Sequence, residues 1–323
     1  MTEDFLNNTE NNSDPGPEDK GKLFYMFSPT GAALLSLFMV FVLYQFGGAI
    51  LTLLIFGLDF ENADVNAVRL LTTGGQILFI LLPALIFAKF VYQDVTSALR
   101  IKVPRIKEIG LFIIGMIILT PLLQSFLYIQ NYLFNLLADK VSVVNSVRSL
   151  LDELDKMVES AYGNLLNTNS VFETSFIVFV VAVVPAVCEE VFFRGFVQKS
   201  FEQKFKPYFA MFITSAFFGM YHFNPYGLIS LIALGMYFGY AAYKSESIIV
   251  PVVLHFLNNF VAVMAFIVIG DEDLVSSSAT KNENIFPFVI SFAILSFLFF
   301  AFIVFMQKNY KFIKGAKDDM PKM

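Results

Sequence analysis

The chain has 323 residues, of which 57% are hydrophobic and 15% are charged, and it carries a net charge of −5. A soluble domain has about 25% charged residues. This composition, with a mean hydropathy of +0.67, therefore excludes an ordinary soluble protein and predicts a multi-pass protein of a lipid bilayer. The negative charge argues against nucleic acid as a partner, and the single cysteine, Cys188, excludes a disulfide within the chain.

The two ends of the chain differ from its apolar middle. Residues 1–30 are acidic and polar, which predicts a disordered tail. Residues 31–307 are predicted to form a transmembrane bundle, and residues 308–323 form a second, basic tail.

Eight apolar stretches follow one another along the middle part. A transmembrane helix needs about 20 apolar residues, with a range of about 17–25. The chain is therefore predicted to be all-α, a polytopic membrane helix bundle of about eight transmembrane helices. The stretches are 31–57, 70–92, 109–138, 174–198, 207–222, 226–243, 247–270 and 285–307. The fifth and the sixth are short for a full span.

The charges of the connecting loops predict the orientation. Loops 93–108 and 199–206 carry Lys and Arg, as does the tail after residue 307. Lys and Arg mark the cytoplasmic side of a membrane. Both tails are therefore predicted to be cytoplasmic. The loops of the opposite side are dominated by Asp and Glu, and they are 58–69, 139–173 and 271–284.

Loop 139–173 has the periodicity of an amphipathic helix. The apolar positions are Val144, Val147, Leu151, Leu154, Val158 and Leu165. Its other face is acidic, whereas a helix on a membrane surface is usually basic. The pattern therefore predicts a helix that packs against the outer ends of the bundle.

Two adjacent carboxylates and an arginine lie inside the fourth predicted span. An ionised side chain in hydrocarbon costs about 2.5–3.5 kcal/mol on insertion scales, so such residues are functional by default. Glu190 and Arg194 are four residues apart and share one helix face, which predicts a supporting ion pair. Glu189 points about 100° away and has no local partner, which suits a general base or acid. The alternative is that both carboxylates only pair with basic groups of other helices.

Both histidines of the chain lie in or at the end of predicted spans. His222 ends the fifth span, and His255 shares a helix face with Asn259, four residues later. A lone histidine on an apolar helix is more often a core residue than a catalyst. Here the whole supply of histidine accompanies a carboxylate pair, which favours a functional site.

Two prolines precede these polar residues. Pro185 lies four residues before Glu189, and Pro251 lies four residues before His255. Proline removes one helical hydrogen bond and bends its helix. The freed carbonyl needs a partner from another helix or from water. The pattern predicts a widened, hydrated chamber beside the carboxylates.

Counting residues along the spans predicts different depths in the bilayer for His222 and Glu189. Counting about 1.5 Å per residue places Glu189 about 22 Å from the outer end of its span, in the cytoplasmic half. His222 lies about 22 Å from the cytoplasmic end of the fifth span, which is a different level. A short hairpin of the fifth and sixth spans, with the turn 223–226 inside the protein, would bring His222 to Glu189. The site is then expected to face the cytoplasmic half.

Two chemistries use this set of residues. In the first, Glu189 and a histidine deprotonate a water that attacks a peptide bond, while Asn259 and a histidine stabilise the oxyanion. In the second, His222, His255 and Glu189 bind a divalent metal such as zinc. The chain lacks a His-Glu-x-x-His motif, so these ligands would come from three separate helices. Both chemistries remain open.

The motifs resemble those of a known family. They are Glu189-Glu190-x-x-x-Arg194, Phe218-x-x-x-His222 and His255-x-x-x-Asn259. Their order is similar to that of the CAAX prenyl protease type II family, called the CPBP (Abi) family of intramembrane proteases in bacteria. The resemblance covers about 174–265.

The resemblance implies a helical bundle in a bacterial cell (inner) membrane, with an active site embedded in it. It implies that Glu189 activates the attacking water and that His222 and His255 assist it or bind a metal. It further implies that Asn259 holds the oxyanion, while Glu190 and Arg194 support the site.

The sequence thus predicts an intramembrane endopeptidase that cleaves a membrane-associated peptide or protein. One rival is a transporter that uses the same charges as a proton relay. A second rival is a non-catalytic immunity or scaffold protein of the same fold. The charges concentrate in the fourth, fifth and seventh spans, which favours one site over a path across the membrane.

Overall fold

The computed structural model describes residues 28–57, 64–92, 94–166, 168, 170–269 and 284–314. Within these ranges every regular element is a helix, which confirms the all-α prediction. The predicted tail up to residue 27, the loop 270–283 and the tail after residue 314 lie outside the described residues.

The described part of the chain forms ten helices. In chain order they are α1 Pro29–Phe56, α2 Val65–Val91, α3 Val95–Ala98, α4 Ile106–Ala138, α5 Ser142–Leu166, α6 Val171–Glu202, α7 Pro207–Tyr221, α8 Leu228–Ser245, α9 Ile249–Ile269 and α10 Phe286–Lys314. Six of them, α1, α2, α4, α6, α9 and α10, are long and apolar enough to cross a membrane. The protein is therefore polytopic, and a count of eight spans stays a prediction.

Helices α7 and α8 form a short hairpin. Helix α7 has 15 residues, which corresponds to about 22 Å against a hydrocarbon core of about 30 Å. The connecting turn is tied to two other helices. Gln130 of α4 donates to the Tyr226 carbonyl (2.8 Å), and the Tyr226 hydroxyl donates to Asp152 of α5 (2.5 Å). Tyr226 is buried whereas Phe223 is exposed, so the turn lies in part inside the protein, as predicted.

Helix α5 contacts the bundle with a face that carries both polar and apolar residues. Asp152 binds the α7–α8 turn, Asp155 is buried, and Arg148 lies 3.5 Å from Asp139 at the end of α4. The exposed side carries Val143, Val147, Leu150, Leu154 and Met157 together with polar residues such as Ser146 and Glu153, whereas Val144, Leu151 and Leu165 are half-buried. The prediction that Val147 and Leu154 face the bundle is therefore wrong. Buried polar groups of the turn need polar partners, and α5 supplies them. The side chain of Val158 lies outside the described side chains.

Two buried apolar clusters hold the helices together. The first joins α1, α2, α6 and α7 through residues such as Ala33, Val40, Phe192, Phe196 and Phe218. The second joins α4, α8, α9 and α10 through residues such as Phe112, Tyr237, Phe238, Leu254 and Met306. The polar residues of α6 lie where these two clusters meet.

Gly115 lets α4, α8 and α10 approach one another closely. A Cβ atom at this position would lie 2.2 Å from the Tyr237 hydroxyl and 2.4 Å from the Phe302 ring. The Tyr237 hydroxyl also donates to the Phe112 carbonyl, at 2.6 Å. In membranes, small residues allow such close helix packing.

We expect Gly115→Ala to lower the free energy of unfolding by about 1–3 kcal/mol, because the added methyl group overpacks the contact. Gly110→Ala is the matched control, since a Cβ atom there would meet nothing within 4 Å. Thermal unfolding in detergent can be followed with a thiol-reactive dye, because the only cysteine, Cys188, is buried. Equal melting temperatures for the two variants would contradict the packing described.

Candidate active site

Helix α6 changes its pitch on both sides of the carboxylates. Its segment Val184–Glu190 is α-helical, whereas the flanking segments Phe179–Val183 and Val191–Val197 are π-helical. Pro185 lies in the first turn of the α-helical segment. Proline cannot continue the α-helical ladder, and π turns of this kind are frequent at functional sites. Glu189 and Glu190 are thus the last two residues of the short α-helical segment between the two π-helical segments.

The carbonyl that Pro185 leaves unpaired is bound by another helix. Pro185 has no N–H for the carbonyl of Val181, four residues earlier. The Nδ2 atom of Asn259, on α9, donates to that carbonyl at 3.0 Å. Of the two partners that the sequence left open, another helix or water, the structure shows another helix. The amide of Asn259 therefore supports the bend of α6.

The predicted bend at Pro251 is wrong. Helix α9 begins at Ile249, so Pro251 lies in its first turn. The N–H groups of the first turn have no partner within a helix. Pro251 therefore removes no hydrogen bond from α9 and does not widen the site.

Glu190, Arg194 and His255 form a buried cluster. Arg194 Nη1 donates to Glu190 Oε1 at 2.7 Å, and neither side chain is exposed. Arg194 Nη2 donates to the Gly235 carbonyl at 3.1 Å, and the guanidinium lies 4.3 Å from the centre of the Phe218 ring. The pair predicted from the four-residue spacing is thus present and is held by α7 and α8 as well.

His255 joins the supporting pair rather than Glu189. Its Nδ1 lies 2.9 Å from Glu190 Oε1, and its ring stacks on Phe238. A carboxylate accepts hydrogen bonds, so Nδ1 carries the proton, and Nε2 is the nitrogen available to substrate or water. The sequence predicts that both histidines accompany the carboxylate pair, and α9 places His255 beside Glu190 of that pair.

His222 faces Glu189 across a short gap. Its Nδ1 donates to the Phe218 carbonyl at 2.7 Å, because a carbonyl can only accept. That leaves the lone pair on Nε2, which lies 3.8 Å from Glu189 Oε2. Among the described residues, Glu189 Oε2 has no hydrogen-bond partner. The short helix α7 thus brings His222 to the level of Glu189, as the predicted hairpin required.

Two residues of the site, Gln76 and Tyr44, were not found from the sequence. Gln76 of α2 is buried, and its Nε2 donates to Glu189 Oε1 at 3.3 Å and to the Tyr44 hydroxyl at 2.9 Å. Glu189 therefore has a partner, although not a local one. The signal was present in the sequence, since Gln76 interrupts an apolar stretch, and polar residues in a span face the protein interior.

A chamber of about 580 Å³ connects these groups. Its walls come from α1, α2, α5, α6, α7, α8 and α9. Ligand pockets have volumes of about 300–1,000 Å³, so the chamber can hold an extended peptide segment. The proposed catalytic residues Glu189, His222, His255 and Asn259 all line it.

The metal site that the sequence left open is not assembled. Over the described ranges, no group of three or more His, Cys, Asp and Glu residues could hold a metal ion. The donors form two separate pairs, since His222 faces Glu189 and His255 binds Glu190. His222, His255 and Glu189 therefore do not fit a single three-ligand zinc site in this arrangement.

The comparison with protein families agrees with the motifs. Residues 171–261 match the family model described as Rce1-like, type II CAAX prenyl endopeptidase. No curated protein and no solved structure shows significant similarity to the chain. The family match spans Glu189, His222, His255 and Asn259 and confirms the resemblance that the three motifs indicate. This segment of the chain is related to the Rce1-like type II CAAX prenyl endopeptidases, a family of proteases.

Proposed function

We propose that the protein is an intramembrane endopeptidase in which Glu189 and His222 activate a water molecule. The observation that carries this proposal is the 3.8 Å gap between Glu189 Oε2 and His222 Nε2. Two polar atoms beyond hydrogen-bond distance can share one bridging water. Both atoms can accept a hydrogen bond from that water, and both residues line the chamber.

The reaction follows from this placement. Glu189 takes one proton of the water, and the hydroxide oxygen attacks the carbonyl carbon of the peptide bond. The C–N bond then breaks, and the proton held by Glu189 passes to the leaving nitrogen. The products are a carboxylic acid and an amine. A membrane-associated peptide or protein is the proposed substrate.

His255 and Asn259 are proposed to stabilise the oxyanion. Glu190 fixes the ring of His255, so that a protonated imidazole would present its Nε2–H to the chamber. Asn259 donates one amide hydrogen to the Val181 carbonyl and lines the chamber, so its second amide hydrogen is proposed to serve the oxyanion. Donors that are fixed in advance are the most effective stabilisers of a developing charge.

The rival function, a proton or ion relay, needs polar groups along a path across the bilayer. The proposal of a protease is supported instead by the gathering of Glu189, both histidines and Asn259 around one chamber.

The two carboxylates should behave differently when changed. We expect Glu189→Gln to abolish cleavage and leave the melting temperature unchanged. Glu190→Gln should lower the free energy of unfolding by about 3–5 kcal/mol, because Arg194 would remain as an unpaired buried charge. Cleavage of membrane peptides by purified protein, followed by mass spectrometry, tests the first statement, and thermal unfolding tests the second. Wild-type activity of the Glu189→Gln variant would contradict the proposed mechanism.

Gln76 is proposed as a positioning residue for Glu189. Gln76→Leu should lower kcat about tenfold, as expected for the loss of a hydrogen bond to a charged group, with little change in KM. Thr73→Val, on the same helix but not in the lining of the chamber, is the control, because the Thr73 hydroxyl donates to the Arg69 carbonyl of its own helix. A change in KM with unaltered kcat would assign Gln76 to substrate binding instead.

Metal dependence can be decided directly. Because the described donors form two pairs, we expect activity to survive a strong chelator and the active protein to contain less than one zinc per chain. Elemental analysis of the purified protein, with activity before and after chelation, is the measurement. Stoichiometric zinc together with inactivation by the chelator would show that the donors rearrange around a metal.

A further inference from the structure

A second cavity lies apart from the chamber of the candidate active site, where the basic loops 93–108 and 199–206 meet. It has a volume of about 490 Å³, and none of the described residues lines both this basic cavity and the chamber. We propose that the basic cavity binds the phosphate group of an anionic phospholipid. The proposal does not depend on the proteolysis proposed above.

The basic cavity lies where membrane-length helices end. Glu202, the last residue of α6, lines it, and so does Glu246, which directly follows α8. Most of the remaining wall comes from the segment 96–102, which lies between α2 and α4. Since α2, α4 and α6 are each long enough to cross a membrane, their ends lie at the level of the lipid headgroups.

The wall of the basic cavity is a preformed turn. The Ile248 N–H donates to the Arg100 carbonyl at 2.9 Å, and the Ser247 hydroxyl donates to the Lys102 carbonyl. These bonds join the segment 96–102 to the turn between α8 and α9. Arg100 and Glu246 both have a left-handed backbone, with φ of 55°. Residues other than glycine rarely adopt this conformation, and it is concentrated at functional sites.

The charges of the wall leave one lysine without an ion pair. Arg100 is paired with Glu202, and Lys102 lies 3.6 Å from Glu246. Lys199, in the last turn of α6, is half-buried and lines the cavity. No acidic group of the described residues pairs with it. Its ammonium group is therefore available to an anion in the cavity.

The polar groups of the wall suit a phosphate. Phosphate oxygens accept hydrogen bonds from ammonium, guanidinium and hydroxyl groups, and bonds that involve a charge are the strong ones. Lys199 and Arg100 supply the cationic groups, while Ser97 and Tyr243 supply hydroxyl groups. Basic pockets between membrane helices are known to bind the headgroups of anionic lipids.

An exposed apolar rim favours a lipid over a free phosphate ion. Ile101 lines the cavity and is 55% exposed, and the nearby Val103 and Ile106 are 85% and 80% exposed. Basic residues alternate with them in the same run, namely Lys102, Arg105 and Lys107. Segments at an anionic membrane surface combine apolar side chains, which enter the acyl boundary, with cations that meet the phosphates. A soluble ion would need no such rim.

The basic cavity is connected to the helix that carries the candidate active site. Arg100 Nη1 donates to the Arg194 carbonyl at 3.2 Å, and Arg194 is the partner of Glu190 on α6. A headgroup bound beside Arg100 therefore also holds α6. A ligand that binds only the folded protein stabilises it, so we expect the bound lipid to raise the melting temperature.

Binding can be measured on the purified full chain in detergent, by native mass spectrometry with added phosphatidylglycerol or phosphatidylcholine. We expect phosphatidylglycerol to bind more tightly and to raise the melting temperature, because only its headgroup carries a net negative charge. Lys199→Gln should weaken phosphatidylglycerol binding about fivefold, the effect of one lysine at an anionic surface. Lys206→Gln is the matched control, since Lys206 is an exposed lysine of the same loop that does not line the cavity.

A second variant tests the apolar rim. Val103→Ser should also weaken phosphatidylglycerol binding, and it should fold because Val103 is exposed. The melting temperature of each variant without lipid checks its fold. Equal binding of the two lipids by the wild type, or equal losses in Lys199→Gln and Lys206→Gln, would overturn the site.

Inorganic phosphate separates a lipid from a free ion. We expect inorganic phosphate alone neither to raise the melting temperature nor to displace phosphatidylglycerol, because it makes no contact with the apolar rim. Equal stabilisation by inorganic phosphate and by phosphatidylglycerol would overturn the assignment to a lipid.

Discussion

Glu190 and Arg194 are opposite charges without exposed surface, joined at 2.7 Å inside a membrane protein. Removing two ions from water costs several kcal/mol each, and their attraction offsets this only when the remaining hydrogen-bonding groups are also satisfied. Groups from three other helices meet this condition in part, namely the Gly235 carbonyl, the Phe218 ring and the imidazole of His255. Among the described residues, Glu190 Oε2 and Arg194 Nε have no hydrogen-bond partner. The pair therefore fixes α6, α7, α8 and α9 relative to one another, and the chamber is the space that they leave above it.

The same constraint separates the roles of the two neighbouring carboxylates. Because Glu190 is bound to Arg194 and His255, it cannot turn toward the chamber. Glu189 is held more loosely, by one long hydrogen bond from Gln76, and one of its oxygens remains unbound. Helical geometry turns adjacent side chains by about 100°. One carboxylate can thus serve the structure while the next serves the chemistry.

Local spacing predicted part of this site, and contacts between distant helices supplied the rest. The Glu190–Arg194 pair and the shared face of His255 and Asn259 follow from a four-residue helical repeat, so they were predictable from the sequence. The partner of His255 was not, because the rotation of α9 against α6 is set by the packing of whole helices. Val147 and Leu154 of α5 were assigned to the wrong environment for the same reason. Periodicity shows that a helix has two faces, but only its neighbours decide which one is buried.

Asn259 contacts the backbone of α6 and also lines the chamber. Its amide completes the hydrogen bonding of a proline-bent helix, and the same group is within the cavity where the reaction is proposed to occur. An inactive Asn259 variant therefore cannot by itself distinguish a lost transition-state contact from a displaced Glu189. A carboxylate of the same shape would place an acceptor against the Val181 carbonyl, and two acceptors repel. The position thus tolerates few substitutions for reasons of backbone chemistry alone, even in a homologue that has lost its catalytic carboxylate.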